Sequence, residues 1–363
     1  MDKDRVEALL NKGVVEGVYP GAVLLVAFEG EILFFRQIGC RALVPKVLPM
    51  ERDTIFDLAS LTKPLGTTLA VMKLIDSAEI ELDQPLEDLL PKALPQDKKL
   101  ITPRLLLSHS AGFADWKPFY LDLDHIRSEE RKERLREELL NIPLEYPPGK
   151  GTLYSDLGFM MLEWVVEEVA GMKLPEFLLK HFYDPLGLNK TFFYEQAAPL
   201  RFGEDQFAST EDCPWRKKVL KGVVHDENAY SLGGYSGHAG LFGNTREVYT
   251  LISLLRGRYR GERKDYLRPE TVRAFFRRAD VVEGSTWALG WDTPSSENSS
   301  SGGLFSKGSV GHLGFTGASV WIDFERDVIV IFLTNRVHPT RKNEKIRAFR
   351  PVLHDEVMKE LAP

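Results

Sequence analysis

The sequence has few cysteines, no long apolar run and no excess of basic charge, and each absence excludes a class of protein. The two cysteines, Cys40 and Cys213, form no CxxC or zinc-binding pattern, which fits a reducing compartment rather than a disulfide framework. No apolar run approaches the roughly 18 residues that a membrane span needs. Lys and Arg total 47 against 53 Asp and Glu, and the net charge of −6 disfavours non-specific binding to nucleic acid or anionic membranes.

The amino-terminal segment, MDKDRVEALLNKG, is charged and amphipathic and lacks the apolar core of a signal peptide, so we expect a cytoplasmic protein. Hydrophobic residues make up 43% of the chain and charged residues 28%, as in soluble globular proteins. A chain of 363 residues can form one large domain or two intergrown ones, with a core that needs no disulfide or metal.

Hydrophobic patterning predicts an α+β protein whose antiparallel sheet is built from both ends of the chain. Apolar runs on either side of residues 29–30 predict one hairpin, and a second is predicted to turn around residues 325–327. We predict a sheet region from residues 1–75 and 285–363, with a mainly helical region, residues 76–284, between them. Apolar spacing and charge pairs predict helices over residues 2–16, 64–77, 127–140, 158–171 and 342–361.

The first motif that could carry chemistry is Ser60-Leu61-Thr62-Lys63. Residues i and i+3 of a helix share a face, so the spacing places an amine beside a hydroxyl that needs a base to become a nucleophile. Pro64 suits the first turn of a helix, where free N–H groups can stabilise an oxyanion. The alternative is a helix-capping serine and a surface lysine, because this pattern arises by chance roughly once in a chain this long.

The second motif is Tyr154, within the segment PPGKGTLYSD at residues 147–156. Proline and glycine turns present this tyrosine just before a predicted helix. A phenolate that is favoured by nearby lysines can relay a proton. The alternative is a core aromatic residue at a helix entrance.

The third motif is GHLGFTG at residues 311–317, just before the second predicted hairpin. Its glycines would let a substrate approach a strand edge closely, and a free strand N–H could complete an oxyanion hole. The alternative is a glycine-rich strand entry that carries a surface histidine.

In this order and spacing, the three motifs resemble those of the penicillin-recognising serine hydrolases. The resemblance is to the class C β-lactamase branch, with its carboxylesterases, D-amino-acid peptidases and low-molecular-mass penicillin-binding proteins, and it extends over nearly the whole chain. The block VVHDENAYSLGGYSGHAGLF at residues 223–242 resembles that of a subgroup of penicillin-binding proteins and cell-wall amidases. The resemblance implies an antiparallel sheet of about five strands flanked by helices, a helical region, and an active site in the cleft between them.

Carried onto the matching positions, the resemblance implies that Ser60 is the acylated nucleophile and that Lys63 and Tyr154 transfer its proton. It further implies that the backbone N–H groups of Ser60 and Phe315 form the oxyanion hole, and that the enzyme needs no cofactor.

Two positions depart from the class C pattern, and with Gly314 and Phe315 they make up the implied substrate-binding set. Asp156 replaces an asparagine, and an ionised carboxylate can only accept hydrogen bonds, so it would pair with Lys63 or accept from a substrate N–H. His312 replaces a lysine and removes a permanent cation. It would either bind a substrate carboxylate when protonated in acid or, when neutral, form hydrogen bonds with a carbonyl or with Tyr154. Both departures predict weak β-lactamase activity.

Four further residues, His225, Asp226, Glu227 and His238, are of types that bind zinc. We expect them to have structural or substrate-binding roles and no metal, because the resemblance implies none. His109, in LLLSHSAGF, is predicted to be a structural hydrogen-bonding residue.

These inferences predict a serine hydrolase that forms an acyl-enzyme on Ser60 and hydrolyses carboxylic esters or amides. The alternative is a D-Ala-D-Ala carboxypeptidase, a muropeptide amidase or a weak β-lactamase, and a third is a non-catalytic penicillin-binding sensor. The expected partner is a small ester, amide or peptidoglycan fragment, and neither nucleic acid nor membrane. Loops at residues 113–125, 195–222 and 292–305 are expected to set substrate preference.

Overall fold

A computed structural model of the chain describes residues 2–263 and 265–361, and a six-stranded antiparallel sheet runs through its centre. The strands are β1 (Gly21–Phe28), β2 (Glu31–Ala42), β3 (Leu48–Pro49), β4 (Phe56–Asp57), β5 (Phe192–Phe193), β6 (Asp212–Cys213), β7 (Lys218–Val219), β8 (Leu241–Gly243), β9 (Val310–Leu313), β10 (Ser319–Asp323) and β11 (Val328–Thr334). The central sheet has the order β3-β2-β1-β11-β10-β9, and two small sheets have the orders β4-β8-β5 and β6-β7.

The predicted α+β class is confirmed, but the sheet has six strands rather than five. The additional strand is β3, which pairs with the end of β2 through Cys40 opposite Pro49. Only two residues long, β3 gives too short a pattern to predict from sequence. Its proline has no N–H to donate, so β3 forms a natural edge of the sheet.

Both predicted hairpins are present, and they join the two ends of the chain. Glu29 and Gly30 have positive φ angles of 51° and 84°, which the tight turn between β1 and β2 requires. The second hairpin connects β10 to β11, and Ala22 of β1 lies opposite Thr334 of β11. The sheet is therefore built from both ends of the chain, as the sequence predicts, through pairing between segments about 300 residues apart.

Four of the five predicted helices are present as α1, α6, α7 and α12, and the fifth begins differently. Residues 63–67 form a π-helical turn that continues directly into α2, so Pro64 lies inside a helical segment. The α-helices are α1 (Lys3–Val15), α2 (Thr68–Asp76), α3 (Leu86–Leu89), α4 (Pro103–Leu107), α5 (Phe119–Leu123), α6 (Arg131–Asn141), α7 (Asp156–Ala170), α8 (Leu174–Leu178), α9 (Glu227–Ser231), α10 (Thr245–Arg260), α11 (Pro269–Phe275) and α12 (Ile346–Glu360).

Both faces of the central sheet are covered, which explains why its inner strands are apolar without alternation. Leu24 and Val26 of β1 belong to a core shared with α1 and α12, whereas Val23 and Leu25 face the larger core that includes α2, α7 and α10. α10 packs against β1 and β11. The division into a sheet region and a helical region stays a prediction. Among the described residues, no helix is both long and apolar enough to cross a membrane.

Gly311 provides a test of how tightly β9 packs on the sheet. It lies opposite Trp321 of β10, and a Cβ atom at Gly311 would lie 2.2 Å from the indole ring. We expect Gly311→Ala to lower the free energy of unfolding by about 1–3 kcal/mol, because the buried ring has to move. Urea unfolding measures the change. Gly308→Ala is the matched control, since its nearest neighbour would be at 3.5 Å; equal effects of the two substitutions would contradict the prediction.

Candidate active site

Ser60 lies in a 3-10 turn, Ala59–Leu61, which leads into the π-helical turn that carries Lys63. Ala59 has a φ of 48°, a strained value for a residue with a side chain. The Asp57 carboxylate holds this backbone by accepting a hydrogen bond from the Ala59 N–H at 2.9 Å. The turn leaves Ser60 partly exposed and brings the Nζ of Lys63 to 3.0 Å from its Oγ. The helical spacing therefore places an amine beside the hydroxyl, as the sequence motif predicts.

Lys63 is completely buried, and its ammonium group is paired inside the protein. Its Nζ lies 2.6 Å from Oδ1 of Asp156, 3.5 Å from the carbonyl oxygen of His238 and 4.7 Å from the ring centre of Tyr154. Burial acts to lower the pKa of Lys63, but the Asp156 carboxylate and Tyr154 outweigh it, so the pKa is raised above its usual value. Of the two roles predicted for Asp156, the pairing with Lys63 is the one in the structure.

Tyr154 is presented by the turn before α7. The next residue, Ser155, caps that helix: its hydroxyl accepts from the Gly158 N–H at 3.1 Å, and its own N–H donates to Nδ1 of His109 at 3.0 Å. The His109 ring packs against Tyr154, with 4.7 Å between ring centres, so His109 has the structural hydrogen-bonding role predicted for it. Burial raises the pKa of Tyr154, and the nearby Lys63 charge partly opposes this shift.

His312 lies on β9, 6.0 Å from Tyr154 between ring centres, and only 3% of its surface is exposed. Its Nδ1 is 2.8 Å from the carbonyl oxygen of Leu313, which identifies Nδ1 as the protonated nitrogen. Burial, together with the charge of Lys63, lowers the pKa of His312 to about 3. This geometry favours the neutral, hydrogen-bonding alternative for His312 over the cationic one. Its Nε2 has no hydrogen-bond partner among the described residues.

Gly314 and Phe315 form the wall beside Ser60. A Cβ atom on Gly314 would lie 2.7 Å from the Leu58 carbonyl oxygen, so this glycine allows the chain after β9 to pack on the segment that leads to Ser60. The side chain of Phe315 is 47% exposed and stacks on His225, with 5.6 Å between ring centres. The assignment of the Ser60 and Phe315 amides to an oxyanion hole stays a prediction.

These residues open into a pocket of about 560 Å³. Of the three loops expected to set substrate preference, the one at residues 292–305 contributes to this lining, whereas those at residues 113–125 and 195–222 do not. The lining residues are Ser60, Tyr154, Trp287, Asp292, Asn298, Ser300, His312, Leu313, Gly314, Phe315, Arg336, Ile346, Arg347, Arg350 and Pro351.

Three of the lining residues are arginines that sequence reasoning missed. Arg347 and Arg350 are three residues apart on α12, and Arg336 follows β11. Arg350 is 4% exposed; it donates to the Gly317 carbonyl at 3.2 Å, and its Nε has no hydrogen-bond partner among the described residues. Burial lowers the pKa of Arg350 to about 10, so it keeps its charge at neutral pH. The i,i+3 spacing was visible in the sequence, but nothing there indicates that this face of α12 meets the pocket.

The 223–242 block borders the site on two sides. The backbone N–H of His225 donates to Oδ2 of Asp57 at 2.6 Å, and Asp57 in turn holds Ala59. On the other side, Nε2 of His238 lies 3.0 Å from Oδ1 of Asp226. Glu227, the last of the four residues considered above for zinc binding, pairs with Arg341 at 2.6 Å.

The block also offers the arrangement closest to a cation site in the described part of the chain. Single side-chain atoms of Asp156, Asp226 and His238 lie within 4.8 Å of one another. The Lys63 ammonium, 2.6 Å from Asp156, already supplies the positive charge that this group would attract. The geometry therefore fits a charge network within the protein.

Comparison with known proteins gives consistent matches over almost the whole chain. A family model described as Beta-lactamase matches residues 6–352. A Salmonella schwarzengrund (strain CVM19633) protein named "Putative D-alanyl-D-alanine carboxypeptidase" is 32% identical over 362 residues, covering 92% of this chain and 82% of the relative. The N-acetylmuramyl-L-alanine amidase of Bacillus subtilis (strain 168) is 30% identical over 366 residues, covering 92% and 81%.

A solved structure has a similar fold. EstCE1, described as a hydrolase with promiscuous acyltransferase activity, superposes with a TM-score of 0.73 at 24% identity. The match covers 96% of this chain and 98% of EstCE1. At this level of identity the likeness shows the fold alone.

The protonation state of His312 can be tested directly. Because burial and Lys63 lower its pKa to about 3, we expect its imidazole to remain neutral from pH 5.5 to 8. Imidazole ¹⁵N shifts of the labelled protein should then stay constant for the His312 signal, which His312→Gln assigns by removing it. A histidine-containing peptide in the same tube reports that pH was varied. A midpoint near the ordinary histidine pKa of ~6.5 would restore the cationic alternative.

Proposed function

The chain belongs to the beta-lactamase family of serine hydrolases, and we propose that it acts through an acyl-enzyme formed on Ser60. The observation that carries the proposal is the 3.0 Å contact between Nζ of Lys63 and Oγ of Ser60, a residue that lines an open pocket. A serine hydroxyl reacts as a nucleophile only when a neighbouring group takes its proton, and Lys63 and Tyr154 are the groups in position to do so.

The proposed reaction moves one proton in a cycle. The reactive form of the Lys63–Tyr154 pair is the one that has lost a proton. As the Ser60 oxygen attacks the substrate carbonyl, its proton passes to this deprotonated pair, and the amides of Ser60 and Phe315 hold the resulting oxyanion. The pair then protonates the leaving amine or alcohol. Water attacks the acyl-enzyme by the same route in reverse and releases the acid and free Ser60. His312, neutral and with Nε2 as an acceptor, would accept a hydrogen bond from the substrate or from the Tyr154 hydroxyl.

Within this chemistry, we propose amides of carboxylate-bearing peptides, such as peptidoglycan fragments, as the natural substrate class. The pocket has a buried guanidinium, Arg350, whose Nε lacks a partner among the described residues, and burial of such a group is costly unless it is paired. A substrate carboxylate in the pocket would supply a counter-charge to this guanidinium, and Arg347 and Arg336 also line the pocket. The names of the curated relatives, a carboxypeptidase and an amidase, support the same class.

Simple carboxylic esters are the second candidate. The neutral His312 in place of a lysine supports it, because recognition near Ser60 then relies on hydrogen bonds rather than on charge.

We also propose a cytoplasmic location, on the support of two unpaired cysteines, Cys40 and Cys213. In that compartment the substrates would be recycled wall fragments.

Replacement of Ser60 tests the acyl-enzyme. We expect Ser60→Ala to lower turnover of a p-nitrophenyl ester by about 10⁴- to 10⁶-fold, because a nucleophile in a coupled set of residues is lost. Intact-mass spectrometry of the wild-type protein after a fluorophosphonate should show one adduct, mapped to Ser60. Ser300→Ala, another serine of the pocket, is the control and should keep both properties. An adduct on any other serine would overturn the assignment.

The arginines test the substrate class. A peptide that ends in D-Ala-D-Ala and its C-terminal amide differ only in the carboxylate. We expect Arg350→Gln to raise KM for the acid about 10-fold or more relative to the amide, because a charge-assisted hydrogen bond is lost. Arg347→Gln should raise the same ratio of KM values for acid and amide. Because Arg347 is more exposed than Arg350, this second variant tests carboxylate recognition even if Arg350→Gln fails to fold. Equal changes for acid and amide would refute carboxylate recognition.

A further inference from the structure

Two side chains of the 223–242 block, which has no role in the proposed reaction so far, meet next to Lys63. Nε2 of His238 lies 3.0 Å from Oδ1 of Asp226, and a carboxylate oxygen of Asp156 lies within 4.8 Å of both residues. The backbone carbonyl of His238 also accepts from Nζ of Lys63 at 3.5 Å. His238 is 1% exposed, so its ring interacts with these groups rather than with water.

The four side chains alternate in charge. Asp226 and Asp156 are the acids, and His238 and Lys63 are the bases that lie beside them. Burial acts to lower the pKa of His238, but Asp226 and then Asp156 outweigh it, so the pKa is raised. Burial acts in the opposite sense on Asp226, yet the His238 charge holds the pKa of that carboxyl below its usual range. The two carboxylates therefore favour an imidazolium at His238, although its Nδ1 has no hydrogen-bond partner among the described residues.

We infer that Asp226 and His238 are positioning residues that act through Asp156 to set the proton affinity of Lys63. The inference rests on the proposed function, in which Lys63 and Tyr154 take the proton of Ser60. It assigns a role in that reaction to the 223–242 block.

The direction of the effect follows from the charges. The Asp156 carboxylate favours the ammonium form of Lys63 and opposes a phenolate on Tyr154. An imidazolium at His238 offsets part of the negative charge on Asp156 and also repels Lys63 directly. With His238 charged, the Lys63–Tyr154 pair therefore loses its proton at lower pH. With His238 neutral, the Lys63–Tyr154 pair keeps its proton to higher pH, so the base that accepts the Ser60 proton forms only at higher pH.

The substitution Asp226→Asn tests the charge of Asp226 separately from the hydrogen bonds that its side chain accepts. Asp226 caps α9, and its Oδ1 accepts from the Ala229 N–H at 2.7 Å as well as facing His238. An asparagine oxygen can accept both hydrogen bonds, so the substitution removes the charge and keeps the contacts. Asp226 also faces two other ionisable groups, His225 and Asp57, and its charge contributes to the raised pKa of Asp57.

The test is the pH profile of kcat/KM for a neutral p-nitrophenyl ester from pH 5 to 10. We expect Asp226→Asn to move the acid limb to higher pH by about 0.5–1 unit, a loss of about 3- to 10-fold on the rising side with the plateau retained. His238→Gln should move the limb in the same direction. In an Asp156→Asn background the Asp226→Asn shift should be smaller than in the wild-type protein, because only the direct repulsion between His238 and Lys63 remains.

Glu227→Gln is the matched control, since it removes one negative charge from the next residue of the block, which pairs with Arg341 and does not face Lys63. It should leave the acid limb in place. Thermal unfolding of each variant verifies that the fold is kept. An Asp226→Asn profile that superposes on the wild type, falls without a shift, or shifts no more than that of Glu227→Gln would overturn the inference.

The pH dependence of fluorophosphonate labelling distinguishes a failure of the proposed function from a failure of the inference about Asp226 and His238. If the wild-type protein gives no Ser60 adduct, the proposed function fails and the inference fails with it. If Ser60 is labelled but Asp226→Asn leaves the pH dependence of labelling unchanged, only the inference fails.

Discussion

The buried ammonium group of Lys63 is the constraint on which the rest of the site depends. An ion in the interior is costly unless charge and hydrogen bonds compensate it, and the compensation here comes from distant segments. Ser60 lies three residues earlier on the same helical segment, Asp156 opens α7, and His238 contributes its carbonyl from the 223–242 block. Because the three must converge on one nitrogen atom, the geometry of the cleft is fixed by satisfying a single charge.

Local patterns were sufficient for the parts of the protein whose structure is determined locally. The turn at Glu29-Gly30 and the Ser60–Lys63 spacing depend on neighbours in sequence, and both are present as predicted. The protonation state of His312 was not predictable from the sequence, because its pKa depends on burial and on the charge of Lys63, which lies on another segment. Arg350 was missed for a similar reason: its helix periodicity was visible, but the element that it faces is set by the tertiary fold.

The neutral His312 and the arginines on α12 and after β11 divide recognition between two parts of the pocket. Near Ser60 the polar groups act through hydrogen bonds, since the charge of Lys63 is already balanced by Asp156 and His312 carries none. The cationic groups of the pocket are Arg336, Arg347 and Arg350, of which Arg347 is paired with Glu344 on the protein surface. A substrate that matches this arrangement carries an anionic group that meets the arginines, and that contact, rather than a cation in place of His312, would select it.

The same block of sequence acts on both sides of the nucleophile. His225 is tied through its backbone to Asp57, the carboxylate that also holds the strained Ala59 immediately before Ser60. Asp226, the next residue, contacts the ring of His238, whose backbone carbonyl accepts a hydrogen bond from Lys63. A shift of this block would therefore change the backbone that presents the hydroxyl and the charge around the amine together. The Ser60 hydroxyl and the Lys63 amine take part in one proposed proton transfer, so contact with the same block keeps their relative positions fixed. This is a physical reason for so polar a segment to be buried beside the cleft.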